Sequence, residues 1–353
     1  MKETALEDQA REALLECLNE VPFLRVERRK DFKGLDGRTG FRIRVKMPEG
    51  RMTLIVEVRK IGQPRVIREA MNQLLRIKNS TPGWYGVVMA PYISPQAAEI
   101  CVKEGFGFAD LAGNCLLSFD QVFISKEGRK NPLARKRDLR SLYSPKAERV
   151  LRVLLSVPGQ WWKLQSLADT AGVSLGQSFN VKKLLADREW IETRPKGFRL
   201  TAPANLLAEW KENYDFRRST VREYYTLRPI ADIERTLAED CERNKVAYAL
   251  AGFSSAARYA PTVRYQRVMA YVLGGFSGVT RRLELKPVTS GANVNLISPY
   301  DEGVFYGAQL KDAAKVTSPV QTYLDLRQIK GRGEEAADFL MQQVIQPTWS
   351  KNE

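Results

Sequence analysis

The middle of the chain carries a dense series of helix starts, helix stops and turns, and this series allows few folds. Ser144 and Pro145 predict a helix start, because a hydroxyl at the N-cap and a proline at the first helical position are both favourable there. Residues 164–171 fit a second helix, and Gly172 follows where a tight turn between helices needs a positive φ. Ser174 then opens a third helix to about residue 188, in the S-x-x-Q form of a capping box.

Two short alternating runs follow the third helix. Residues 190–193 and 198–201 flank the turn Arg194-Pro195-Lys196-Gly197, which predicts a β-hairpin. Three helices followed by a hairpin are typical of a winged helix-turn-helix, which we place at residues 142–203. In such modules the third helix enters the major groove of DNA, and the hairpin follows the adjacent phosphate backbone. Winged helices also serve as protein-docking modules, so this alternative stays open.

The net charge of the chain is concentrated on this region. Residues 126–201 carry +10 of the total +15, whereas residues 1–125 carry +3 and residues 202–353 carry +2. A basic excess confined to one small module is the electrostatic footprint of phosphate neutralisation. We therefore predict that the chain binds nucleic acid, and specifically double-stranded DNA.

The candidate DNA-binding residues lie on the third helix, on the hairpin and in the basic segment before the module. Gln177, Asn180 and Lys183 are three residues apart and share one helix face, while Leu175 is expected to face the core. Asparagine and glutamine pair with adenine, and lysine and arginine contact phosphates or guanine. The full set is Ser174, Gln177, Asn180, Lys182, Lys183, Arg188, Arg194, Lys196, Arg199, Arg135, Lys136 and Arg137.

For single residues in this set, a structural alternative stays open. Gln177 would then only close its capping box, and the lysines would form a solvated helix face. The basic segment 126–140 is either a flexible linker or an arm that follows the DNA backbone without reading sequence.

The N-terminal region mixes helical and strand patterns and resembles a nuclease fold. The elements follow the order αβββαβα, in which Glu57-Val58-Arg59 ends the third strand. This order resembles the PD-(D/E)xK restriction-endonuclease-like fold, and the resemblance implies metal-dependent phosphodiester cleavage. We expect helices at about 6–19, 65–78 and from 94, and strands at about 41–45, 53–59, 85–89, 106–110 and 122–125.

The carboxylates expected of an active member of that fold are incomplete. Arg59 stands where the fold has lysine, and arginine does not give up its proton near neutral pH. Asp36 lies in a turn rather than on the preceding strand, and one carboxylate is a weak magnesium site. We expect an inactive domain at residues 1–141, in which Glu57 pairs with Arg59 or Arg65. The Asp110–Asn114 cluster is either a metal-adjacent loop or a turn between strands.

The C-terminal region, residues 204–353, contains a strand that runs into a helix through Gly252-Phe253-Ser254-Ser255. This resembles the opening Gly-Ser element of nucleotidyltransferase folds, where a helix N-terminus receives nucleotide phosphates. Nucleotidyl transfer also needs an Asp-x-Asp pair on the next strand, and residues 267–273 contain no acid. Glu284 alone cannot hold two metal ions. We therefore expect an inactive nucleotidyltransferase-like α+β domain.

Two further C-terminal motifs complete a resemblance to a known family. They are Gln321-Thr-Tyr-Leu-Asp325-Leu and Gly331-Arg-Gly-Glu-Glu-Ala-Ala. Together with the three regions above, they resemble the AbiEi-type antitoxin and transcriptional-regulator family of type IV toxin–antitoxin systems, over most of residues 40–345. The resemblance implies a repressor that binds promoter repeats through its winged helix and counteracts a nucleotidyltransferase toxin through its C-terminal domain. Such antitoxins commonly begin with the winged helix, whereas a nuclease-like region precedes it here.

The absence of histidine excludes several chemistries. No histidine nucleophile activation or general base is available, and Cys17, Cys101, Cys115 and Cys241 lie too far apart for a zinc motif. Scattered thiols suit the cytoplasm, and no apolar run approaches the roughly 20 residues that span a bilayer.

We therefore expect a cytoplasmic α/β multidomain protein that is not an enzyme and has no cofactor, metal or membrane contact. Its predicted function is sequence-specific DNA binding that represses its own promoter. Its predicted partners are double-stranded DNA, a cognate toxin protein and a second copy of itself. The alternatives are a metal-dependent DNA nuclease that uses Glu57, and an antitoxin that acts by protein contact alone.

Overall fold

The computed structural model describes residues 3–33, 39–78, 83–129, 142–261 and 264–350. The chain forms two units, Met1–Asp138 with Leu185–Glu189, and Leu139–Leu184 with Trp190–Glu353. The predicted division into three domains stays a prediction. Within the described ranges, every helix is too short or too polar to cross a lipid bilayer.

The first unit is built on a seven-stranded sheet whose strands lie side by side in chain order. Its elements are α1 Glu3–Asn19, β1 Arg25–Lys33, β2 Thr39–Met47, β3 Gly50–Val58, α2 Pro64–Lys78, β4 Trp84–Ala90, α3 Pro95–Lys103, β5 Gly107–Asp110, β6 Cys115–Phe119 and β7 Val122–Lys126. β3, β4 and β5 run parallel, and the other neighbours are antiparallel. Parallel neighbours need a crossover connection, which α2 and α3 provide.

Alternation along the strands gives this sheet two apolar faces. Leu14 of α1 packs in one core with Leu54 of β3. Ile55, the next residue, lies in a second core with Ile67 of α2. Glu57 is two residues beyond Ile55 and therefore faces α2 rather than α1.

Three helices and a hairpin begin the second unit, apart from residues 185–187 at the end of the third helix, which belong to the first unit. They are α4 Pro145–Ser156, α5 Leu164–Ala171, α6 Leu175–Asp187, β8 Ile191–Arg194 and β9 Gly197–Leu200, each within about two residues of the sequence prediction. Gly172 has φ +62°, as the tight turn between helices requires. Trp162, just before α5, exchanges backbone hydrogen bonds of 2.7 and 3.0 Å with Phe198 of β9. This pairing adds a third short strand position to the hairpin, which the sequence analysis did not predict.

The rest of the second unit surrounds a mixed seven-stranded sheet. Its elements are α7 Pro203–Asn213, β10 Thr220–Tyr225, α8 Ile230–Arg243, β11 Tyr248–Leu250, α9 Gly252–Tyr259, β12 Val268–Val272, α10 Ser277–Arg282, β13 Lys286–Pro287, β14 Val294–Ser298, β15 Gln309–Lys311, β16 Ala314–Val316, α11 Pro319–Arg327, α12 Arg332–Leu340 and α13 Gln346–Ser350. The strand order is β13-β10-β14-β12-β11-β16-β15. β12 runs parallel to β14, and β11 runs parallel to β16. Leu237 of α8 packs in one core with Leu250 and Leu296 of this sheet.

Candidate nucleic-acid interface

One face of α6 is buried, and the other face is open. Ser178, Val181 and Leu185 are fully buried and recur at the spacing of a helix stripe. Asn180 and Lys183 are exposed on the opposite side, as predicted from their spacing. The prediction for Leu175 was wrong. Its side chain is 46% exposed, because it lies about a quarter of a turn away from the buried stripe.

The start of α6 is capped as the sequence predicts. The Ser174 hydroxyl oxygen accepts a hydrogen bond of 3.2 Å from the Gln177 backbone N–H. This bond satisfies one of the backbone donors that a helix start leaves without an intrahelical partner. The Gln177 side chain is half-buried at the edge of the open face. The Ser174 side chain therefore has a structural role, Gln177 contributes its backbone N–H, and the contact of both residues with DNA stays a prediction.

The hairpin gathers three cationic side chains around one indole ring. The Trp161 ring centroid lies 4.3 Å from the Lys196 ammonium, and 5.2 and 5.3 Å from the guanidinium carbons of Arg194 and Arg199. Arg194 and Arg199 donate to the Glu192 carboxylate over 2.5 and 2.9 Å. These hydrogen bonds, from Arg199 first, lower the pKa of Glu192, so its carboxylate stays ionised. Three cations and one anion leave this cluster with a charge of about +2.

The structure places one further residue, Trp161, among the predicted hairpin residues, and it links the predicted Lys182 to the hairpin. Trp161 was not predicted from the sequence. It stands beside the hairpin cations because its neighbour Trp162 pairs with β9. Lys182 is half-buried, and its ammonium lies 5.1 Å from the ring centroid of Phe198. Lys182 thus bridges α6 and the hairpin, and its phosphate contact stays a prediction.

One predicted contact residue is buried, and three fall outside the described ranges. Arg188 is only 3% exposed, and its contact with DNA stays a prediction. Arg135, Lys136 and Arg137 lie in residues 130–141, outside the described ranges.

The carboxylate of Glu57, in the N-terminal region, takes part in an internal ion pair. Glu57 is fully buried and pairs with Arg59, whose Nη2 also donates to the Gln73 Oε1 at 2.5 Å. The predicted pairing with Arg59 is thus confirmed, whereas Arg65 pairs with Glu69 at 3.4 Å. The buried Glu57 carboxylate compensates the charge of the buried Arg59 guanidinium, and this ion pair holds both side chains in place. Among the described residues, no group of three or more His, Cys, Asp or Glu side chains could hold a metal ion.

The Asp110 cluster forms a turn, one of the two alternatives left open by the sequence. The Asp110 carboxylate accepts from the Asn114 backbone N–H at 2.8 Å, from the Asn114 side-chain amide at 2.9 Å and from the Ile93 backbone N–H at 3.1 Å. Gly113 has φ +92°, a conformation that favours glycine. The cluster therefore fixes the connection between β5 and β6.

The Gly252–Ser255 element packs inside the second unit. Ser254 accepts from the Met269 backbone N–H at 3.2 Å, and the Ser255 hydroxyl lies 2.7 Å from the Thr322 hydroxyl. Both serines are fully buried. Gly252 has φ +52°, and a Cβ there would lie 2.8 Å from the Met269 sulfur. The start of α9 is therefore closed against β12 rather than open to a nucleotide.

The motif from Gln321 to Asp325 forms a buried polar network. The Gln321 Oε1 accepts from Nε and Nη2 of Arg152 in α4, at 3.0 and 2.7 Å. The Gln321 amide donates to the Asp325 Oδ1 at 2.8 Å, and the hydroxyls of Tyr214 and Tyr271 donate to the same oxygen at 3.0 and 2.8 Å. Burial raises the pKa of Asp325 to about 7, although these hydrogen bonds oppose the shift. The motif joins α11 to α4 and so has a structural role.

The fold and site define a mixed α/β protein with a cationic helix-and-hairpin surface. Residues 199–346 match the family model described as transcriptional regulator, AbiEi antitoxin, type IV toxin–antitoxin system. The comparison with curated proteins gives no match. Among solved structures, the apo form of EndoMS matches with a TM-score of 0.22 and 17% identity. That match covers 29% of this chain and 45% of the EndoMS chain, so the chain spans less than half of that structure's length.

Proposed function

We propose that this protein is a sequence-specific DNA-binding transcriptional regulator of the antitoxin type. Its winged helix-turn-helix would consist of α4, α5, α6 and the β8–β9 hairpin. The observation that carries the proposal is the open face of α6, with Asn180 and Lys183, beside the Trp161 cation cluster. A helix of this kind fits the major groove, where asparagine pairs with adenine. The hairpin cations contact the adjacent phosphates, which adds affinity without sequence information.

The family match supports the regulatory part of the proposal. The matched residues, 199–346, include the buried Gln321 and Asp325 motif and most of the nucleotidyltransferase-like domain. A type IV antitoxin would bind a cognate toxin through this domain in the cytoplasm. It would repress its own promoter as a homodimer on repeated sites. In this proposal the restriction-endonuclease-like domain is inactive, because Glu57 compensates the charge of Arg59.

The test is a titration of the full-length protein by fluorescence anisotropy at several salt concentrations. The probes are the DNA upstream of its own gene and a scrambled duplex. We expect tighter binding to the upstream DNA, with a difference that persists as salt rises, because phosphate contacts weaken with salt on both duplexes. Lys183→Ala should weaken binding, and Lys103→Ala, an exposed lysine on α3, is the matched control. Equal and steeply salt-dependent binding to both duplexes would contradict a sequence-specific regulator.

The position of the family match favours a second candidate, an antitoxin that acts by protein contact alone. The matched residues do not include α6. In that case a nucleotidyltransferase encoded next to this gene would co-purify with the protein, and own-site DNA binding would be absent. The same titration therefore separates the two candidates.

A further inference from the structure

The open face of α6 exposes two large apolar side chains. Phe179 is 54% exposed and Leu175 is 46% exposed, and the two lie one helical turn apart. They share this face with Asn180 and Lys183. Neighbouring exposed apolar side chains that are rimmed by polar ones form the kind of patch that serves as an interaction surface.

Gly176 lies on the same face, and no contact among the described residues requires a glycine there. A Cβ at this position would meet no atom within 4 Å, and its φ is not in the left-handed region. Glycine within a helix is unfavourable relative to alanine. A glycine without an internal reason allows a ligand to approach the backbone closely.

The charges around these residues favour a polyanion over an apolar protein surface. In α6, which the structure describes completely, the exposed side chains include Lys183 but no carboxylate, because Asp187 is buried. The adjoining Trp161 cluster of Arg194, Lys196, Arg199 and Glu192 is also net cationic. This surface therefore fits a partner that offers an apolar group to Phe179 and Leu175 and phosphates to the surrounding cations.

We propose that Phe179 and Leu175 contact the C5-methyl groups of thymine in the major groove, so that the operator carries A·T pairs opposite the first half of α6. This inference rests on the proposed function. Thymine is the base that presents a methyl group in this groove, and phenylalanine is suited to contact it. The neighbouring Asn180 is suited to pair with adenine. One A·T step offers both contacts, and Gly176 lets the helix approach the base edges.

The experiment uses the full-length protein and a duplex that it selects from a randomised library. Binding is then compared between this duplex and a copy in which deoxyuridine replaces thymine at one position at a time, which removes only the methyl group. We expect a loss of about fourfold at each contacted position, which corresponds to about 0.8 kcal/mol for one buried methylene-sized group. Phe179→Ala should bind the thymine and deoxyuridine duplexes equally at the position that Phe179 contacts, and Leu175→Ala at the position that Leu175 contacts.

The control variant is Phe123→Ala, which removes another exposed aromatic ring, 70% exposed on β7. It should keep the full thymine preference. The circular dichroism melting curve of Phe179→Ala should match that of the unmodified protein, because an exposed side chain contributes little to the core. Leu175→Ala provides a second variant for the same comparison.

The outcomes separate the inference from the proposed function. If the library yields no preferred duplex, the proposed function fails. If it yields one that binds equally well with deoxyuridine at every position, the regulator stands and the thymine contact is overturned. A thymine preference that Phe179→Ala and Leu175→Ala both retain also overturns the assignment. So does unchanged DNA binding by Phe179→Ala together with loss of a co-purifying nucleotidyltransferase.

Discussion

Arg152 provides the sharpest test of how the second unit is held together. Its guanidinium is fully buried, donates two hydrogen bonds to Gln321 and lies 5.1 Å from the Trp210 ring centroid. Glu148, also buried, lies 3.7 Å from it. Arg152→Met keeps most of the apolar stem and removes the charge. The Gln321 carbonyl then loses its donors, and Glu148 loses part of its charge compensation.

The expected loss in the free energy of unfolding is about 3–5 kcal/mol, the usual cost of removing one partner of a buried charged pair. In urea, with a slope of about 3 kcal/mol per M for a unit of this size, the midpoint should fall by roughly 1–1.7 M. Tryptophan fluorescence is a suitable probe, because five of the six tryptophans belong to the second unit.

The matched control is Arg217→Ala, whose side chain is 91% exposed and pairs with Asp215 at the surface. Exposed pairs of this kind contribute about 0–1 kcal/mol. The double variant Arg152→Met with Gln321→Met should lose less than the sum of the single losses, because the two residues share their hydrogen bonds. A midpoint shift for Arg152→Met no larger than that of Arg217→Ala would refute the structural role of the network.

Four further predictions follow from other sites. Glu57→Ala should lower the free energy of unfolding by about 3–5 kcal/mol in thermal melts, because it leaves Arg59 buried without its counter-ion, whereas exposed Glu49→Ala should change little. The contribution of Asp325 to stability should be full below about pH 4 and decline towards pH 7, because its folded pKa is raised to about 7. Urea titrations across this range measure the decline, which should be absent in Asp325→Asn. An equal pH dependence of the free energy of unfolding in the two proteins would contradict the prediction. Glu192→Gln should tighten DNA binding and steepen the dependence of log K on log salt by about 0.9, and weaker binding would contradict this. Gly176→Ala should raise the melting temperature through a gain of about 0.5–1 kcal/mol while weakening DNA binding, and tighter binding would contradict close approach to the helix.

The elements that the sequence predicted are those with local signals. Pro145 begins α4, the Ser174 hydroxyl caps the start of α6, and Gly172 ends α5 with the φ that its turn requires. β1 was missed because five of the nine residues in Arg25–Lys33 are cationic, so the strand lacks apolar alternation. It lies at the edge of the sheet, where charged residues are common because they discourage pairing with other chains.

The exposed residues of the candidate site could be predicted from the sequence only where helix periodicity determines which side chains face outward. Asn180 and Lys183 follow from the spacing along α6. The exposure of Leu175 follows from its position about a quarter of a turn from the buried stripe, which the structure locates. The burial of Arg188 depends on residues outside the helix, which periodicity does not contain. Trp161 depends on a backbone pairing between positions 36 residues apart in sequence, Trp162 and Phe198.

The Arg152–Gln321 hydrogen bonds have a consequence for how such chains can recombine. Trp349 at the far end of the chain also donates to the Leu155 backbone oxygen of α4, at 2.8 Å. A graft that cut the chain at residue 203 would leave Gln321 and Asp325 facing a foreign helix without Arg152. Exchange of α4 between related chains would thus succeed only when Arg152 and Gln321 are exchanged together. Under the proposed function, new DNA specificities would instead arise by substitution on the open face of α6, which carries none of these bonds.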